Sequence, residues 1–167
     1  MDLKAALKGQ YHAALAMLKQ TIDRCPDDLW TAAGHPSAFW HIAYHTLFYT
    51  HLYLQPDEKA FRPWEHSRPE YQYLESVPWP PHRPPQIAEP YTKAQVLDYW
   101  RACDAMIDAG VDQLDLDRPE CGFPWYKMPK MEHQLMNVRH IQHHVGQLAD
   151  RQRLAADLDL DWIGNKR

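Results

Sequence analysis

The chain has 167 residues, 45% of them apolar, and 18 basic against 22 acidic side chains give a formal charge of −4. That length suits one buried core and is short for two ordinary domains, so residues 1–167 are expected to form a single domain. The basic residues form no stripe, which argues against a nucleic-acid partner, and no run approaches the roughly 18–20 apolar residues that a membrane span requires.

Met1-Asp2-Leu3-Lys4 runs directly into helical periodicity without a signal-peptide apolar block, so a cytoplasmic location is expected. The three cysteines, Cys25, Cys103 and Cys121, are odd in number and form no CxxC pair, which fits a reducing compartment. Leu3, Leu7, Tyr11, Ala14, Leu15, Leu18 and Ile22 recur at helical spacing and predict a first helix from Asp2 to about Arg24, ended by Cys25-Pro26. After a turn at Pro26-Asp27-Asp28, a second helix is expected to start with Ser37 or His35 near its cap and Pro36 in its first turn. It runs to about Leu54, before Pro56. Phe39, Trp40, Ile42, Ala43, Leu47, Phe48 and Leu52 make it apolar nearly all round, as befits a helix in the middle of a bundle.

From Pro56 to Pro90 the character changes, because nine of the chain's 14 prolines lie there among Trp64, Tyr71, Tyr73 and Trp79. Its aromatic content predicts that this connection packs down, and three roles stay open for it: a crossover without chemistry, a substrate lid, or an interaction surface between Trp64 and Trp79. Thr92 is a good cap for a third helix, traced by Val96, Leu97, Tyr99, Trp100, Cys103, Met106, Ile107 and Val111 to about Leu114. Asp115 to Lys130 reads as a second loop, and the fourth helix runs from about Met131 to Asp157.

The fourth helix carries three histidines in five positions, His140, His143 and His144. His140 and His144 lie about 40° apart around the axis and one turn (~6 Å) along it, where two imidazoles can converge on one cation. Zinc-type sites take about three or four protein ligands, so another helix must supply a donor. The second helix offers His41 and His45, one turn apart in apolar surroundings. Neutral imidazoles buried there need partners for their nitrogens, and a shared metal is one; a carbonyl or water for each is the alternative. His51, His133 and His143 are expected to be structural or exposed.

Four helices with no strand signal predict an all-α fold, an up-down-down-up four-helix bundle with a long Pro- and aromatic-rich crossover between its second and third helices. His140-Ile141-Gln142-His143-His144-Val145-Gly146-Gln147-Leu148 resembles the HxxxHxGQL signature of the DinB/YfiT-like superfamily, and Ala43-Tyr44-His45-Thr46-Leu47-Phe48 resembles that family's second-helix segment. The Pro26-Asp27-Asp28-Leu29-Trp30 turn agrees as well, so the likeness covers essentially the whole chain. The resemblance implies a divalent metal held by His45, His140 and His144, with His41 as rival or companion to His45. Zinc or nickel suits imidazole, and manganese or iron also fits the ligand type. Three neutral histidines leave open positions, the arrangement of a catalytic site. The implied activity is that of a hydrolase or thiol S-transferase on a small-molecule substrate, with a low-molecular-weight thiol as candidate partner. A non-catalytic metal- or ligand-binding bundle is the alternative. Tyr49 and Gln147 are placed to orient substrate or water or to make structural hydrogen bonds, and a homodimer is expected from the way such bundles pair.

Overall fold

Helix α1 (Leu3–Arg24) begins where the Asp2 carboxylate accepts a hydrogen bond from the Ala5 amide at 3.0 Å, satisfying an amide that the first turn leaves without a partner. The computed structural model describes residues 2–166, so Met1 and Arg167 of the expected domain lie outside the described residues. One turn of helix, α2 (Asp27–Trp30), replaces the expected plain turn. Its Trp30 is buried, and the indole donates to the Tyr91 carbonyl at 2.8 Å. Three long helices follow, α3 (Phe39–Tyr53), α4 (Lys93–Gln113) and α5 (Lys130–Ala156), and the described residues contain no strand.

The start of α3 differs from expectation. Ala38, not Ser37 or His35, is its N-cap, and no side chain caps it. The Ser37 hydroxyl donates instead to the Leu74 carbonyl at 3.2 Å, so the residue that looked like a cap ties the long connection down. At α4 the expectation holds: Thr92 and Gln95 form a reciprocal capping box, two amides satisfied by two side chains. Helix α5 starts one residue early, at Lys130, and ends before Asp157, which takes the left-handed conformation at φ 52°. The tail beyond it returns along α1, where Gln10 and Gln20 donate to the Gly164 and Asp161 carbonyls.

Helices α1 and α3 each pack on both α4 and α5. The seam between them is filled by Leu15, Leu18, Ile22, Ala43, Leu47, Val96, Ile107, Val111, Ile141, Val145 and Leu148, all fully or almost fully buried. Burial of one such side chain stabilises by about 1.5–3 kcal/mol relative to exposure. Hydrogen bonds fix the relative register. Tyr11 of α1 meets Gln134 and Asn137 of α5, and farther along Thr21 meets Gln152. Asn137 and Gln134 of α5 reach the carbonyls of Thr50 and Tyr53 on α3, and Trp100 of α4 donates to Leu15 of α1. No helix among the described residues is long and apolar enough to cross a membrane.

The connection from Leu54 to Thr92 has one short 3₁₀ turn, Glu58–Ala60, and otherwise folds by side-chain anchoring. Trp64, Tyr71, Val77 and Tyr91 are buried in it. Trp64 stacks on Tyr99 with ring centroids 4.6 Å apart. The Tyr71 hydroxyl accepts from the Ala88 and Glu89 amides and donates to the Glu89 carbonyl. Glu70 closes the segment on itself through two bonds to Arg83, at 2.6 and 2.8 Å, which hold its carboxyl at about 2. The expectation that this stretch packs down is met, and its prolines restrict the alternatives available to the chain once the aromatic anchors are seated.

Lys130, His51 and His133 are among the buried polar residues. Lys130 donates to the Pro56 carbonyl at 2.8 Å, and burial lowers its pKa to about 8. His51 Nδ1 shares a hydrogen bond with the Tyr99 hydroxyl at 3.1 Å, and His133 packs against Tyr53 and Phe123. Burial lowers both histidines to about 4 from an ordinary 6.5. Between those values the unfolded chain binds protons that the folded protein refuses, so stability is full above pH 6.5 and falls as the pH drops through that window. Each contributes about 1.4 kcal/mol per pH unit there. Urea melts at pH 7, 6 and 5 should show a falling midpoint, and the fall should shrink in a His51→Gln variant; an unchanged midpoint would contradict this.

Candidate metal centre

His45 stands in the middle of α3, and His140 and His144 occupy successive turns of α5. The two helices pack against each other. His45 Nε2 lies 3.1 Å from His140 Nε2, and His144 Nε2 lies 3.0 Å from the same atom. These three histidines alone, among the described residues, form a group of potential ligands whose candidate atoms all lie within 4.8 Å of one another. His45 and His140 are half-buried and His144 is buried.

The other ring nitrogens fix what the converging ones present. His45 Nδ1 donates to the Gln72 carbonyl at 2.6 Å, and since a carbonyl only accepts, Nδ1 carries the proton and Nε2 a lone pair. His144 Nδ1 lies 2.7 Å from Gln147 Oε1, the same arrangement with a side-chain amide. Two lone pairs therefore face the same nitrogen of His140. A proton there can serve only one of them well, and His140 Nδ1 is buried without a partner. Burial lowers the pKa of all three, to about 3 for His140 and well below the ordinary value for His45, with neighbouring imidazoles adding to the effect on each. At neutral pH they are neutral and able to ligate.

A cation fits this donor set. Two nitrogens bound to one zinc-type ion at about 2.0–2.1 Å stand about 2.9–3.4 Å apart, depending on the angle between the bonds. The two observed separations fall in that interval. The carbonyl and amide behind His45 and His144 are the kind of outer partners that orient ligand imidazoles.

His41 is not part of the cluster. Its Nε2 donates to the Tyr71 carbonyl at 2.8 Å, and its ring stacks on Trp40. His143 is exposed, its ring centroid 5.0 Å from that of His144. Gln147 accepts from His144, while Tyr49 packs its ring 4.8 Å from His45 and 5.8 Å from His140. Burial, and then the phenols of Tyr73 and Tyr126, push the Tyr49 phenol above its ordinary range. Sequence reasoning missed Gln72, which acts through its backbone carbonyl, an atom every residue carries. A cleft of about 730 Å³ lies elsewhere, between Asp57–Lys59 and Arg118–Met128, and includes none of the three histidines.

A profile of the DinB superfamily matches residues 10–148, whereas no curated protein and no solved structure matches the chain. The matched span covers most of the four long helices and contains all three clustered histidines. The chain belongs to the DinB superfamily.

Proposed function

We propose that the protein is a divalent-metal-dependent enzyme of the hydrolase or thiol S-transferase type, with His45, His140 and His144 as the ligands. The observation that carries this is the convergence of three Nε2 atoms, two of them held as lone-pair donors by Gln72 and Gln147. Zinc or nickel suits the all-imidazole set, and manganese or iron is compatible with it. Such an ion supplies Lewis-acid chemistry, acidifying a water for hydrolysis or a small thiol for S-transfer. The engagement of His41 with Tyr71 supports three protein ligands and open positions over a closed four-ligand structural site. The chain's own part is to hold three imidazoles neutral and correctly tautomeric, and to place Tyr49 beside them. We also infer an up-down-down-up helix order, supported by contacts that advance in the same direction along α1 and α5 and in opposite directions along α3 and α5.

Metal removal tests the reading. Protein loaded with zinc or nickel should hydrolyse activated aryl esters, or consume a small thiol in the presence of an electrophile. Chelator-stripped protein should lose at least about nine-tenths of that rate, and added metal should restore it. Equal rates from loaded and stripped protein would count against a metal-dependent enzyme.

A further inference from the structure

Of the nine tyrosines, Tyr11, Tyr44, Tyr71, Tyr91 and Tyr99 commit their hydroxyls to partners in the protein. Tyr53 and Tyr126 pack against each other and against the His133 ring. Tyr49 and Tyr73 have other surroundings. Both are partly buried, and neither hydroxyl makes a hydrogen bond among the described residues. They come from separate parts of the chain, and each adjoins His45, one through its own ring and the other through the residue before it. Tyr49 lies one turn past His45 on α3 with its ring against His45 and His140. Tyr73 follows Gln72, the residue whose carbonyl holds His45.

Packing or hydrogen bonding within the protein explains neither hydroxyl, and a phenol with no internal use, placed beside a cluster of potential ligands, is available to something that enters from outside. The charge of the site indicates what that is. Among the described residues, no carboxylate belongs to the group of candidate ligands that His45, His140 and His144 form. A divalent ion on three neutral imidazoles therefore keeps its full charge until an anion joins it, and neutral phenols complement such an anion by donating to its oxygens. The surroundings are aromatic: Tyr53 lies 5.3 Å from Tyr49, and Trp79, 45% exposed, lies edge-on to Tyr73 at 5.6 Å. Rings so placed favour a flat, aromatic body over an aliphatic one.

We propose that Tyr49 and Tyr73 hold the anionic end of the substrate against the three-histidine cluster, and that the substrate is a small aryl-bearing organic anion of the aromatic carboxylate class. This rests on the metal-dependent reading above and assigns the two tyrosines as positioning and specificity-determining residues. Because their hydroxyls have no partner in the protein, Tyr→Phe at either position removes the donor and leaves the fold intact.

The test uses full-length protein loaded with cobalt(II), whose visible absorption reports ligands entering its coordination sphere, titrated with benzoate and with acetate. In wild type, benzoate should bind at least threefold more tightly than acetate. Tyr49→Phe and Tyr73→Phe should each weaken benzoate about tenfold, as for loss of one hydrogen bond to a charged group, while the anion-free cobalt spectrum stays as in wild type. Benzoate affinities within twofold of wild type in both variants would overturn the assignment of the tyrosines, and equal affinities for benzoate and acetate would overturn the aryl class. Both results leave the metal reading standing. Wild type that takes up no cobalt would overturn the metal reading and the proposal together.

Discussion

His140→Ala is expected to take the protein from about one divalent ion per chain to almost none, measured by elemental analysis of protein purified without an affinity tag. His140 is the common member of both short contacts, with its Nε2 3.1 Å from that of His45 and 3.0 Å from that of His144. Its removal leaves two imidazoles on different helices with nothing between them. The loss of affinity should exceed the roughly 10–100-fold that follows loss of an outer partner of a ligand. Stability gives a second measure of the same event. An ion present at about a thousand times its dissociation constant stabilises the folded state by about 4 kcal/mol, which for a domain of this size raises the melting temperature by roughly 10 °C. Wild type should show that rise on metal addition and His140→Ala should not. A variant that kept its ion, or melted higher when metal was added, would show that the cluster is not where the ion binds.

The second large effect concerns a hydroxyl deleted at two positions. Tyr11→Phe should destabilise the protein by about 3 kcal/mol, whereas Tyr49→Phe should change stability by less than about 0.5 kcal/mol, both read from urea melts. The deleted atom is the same, and its surroundings decide the cost. The Tyr11 hydroxyl, in a fully buried position, donates to Gln134 Oε1 at 2.8 Å and accepts from Asn137 Nδ2 at 2.9 Å. Phenylalanine there leaves an acceptor and a donor without that partner, away from water, and each such group costs about 1–3 kcal/mol. Nothing comparable depends on the Tyr49 hydroxyl. If the two variants melted alike, the buried network joining α1, α5 and the end of α3 would not be a source of stability.

What could be read from the sequence follows from how local each feature is. The HxxxH pair is a consequence of helical pitch, so once α5 is a helix the two imidazoles must share a face. Helices α1, α4 and α5 could be traced because each carries a periodic apolar stripe, α3 because its apolar run stops before Pro56, and Thr92 showed its capping role through Gln95 three residues on. The choice between His41 and His45 was open to spacing alone, since both lie on one face a turn apart. Two backbone carbonyls in the irregular connection distinguish them: Tyr71 takes His41 and Gln72 takes His45. A carbonyl has no residue type, so no pattern announces it. The same holds for Lys130, which looked like the polar end of a loop. It is buried because the carbonyls of Gln55 and Pro56, far away in sequence, accept from its ammonium group.

The bond from His45 Nδ1 to Gln72 has a thermodynamic consequence. The connection that carries Gln72 is ordered by its own anchors, Trp64 on Tyr99, Tyr71 on the Glu89 backbone and Glu70 on Arg83. On the proposed reading, ordering that segment aligns a ligand, and filling the cluster favours the ordered segment. The two equilibria are then reciprocal, each raising the other by the same factor. The affinity of such a centre is a property of a stretch of some forty residues as much as of three side chains, and a substitution at the far end of the proline-rich loop is expected to change it without altering any histidine.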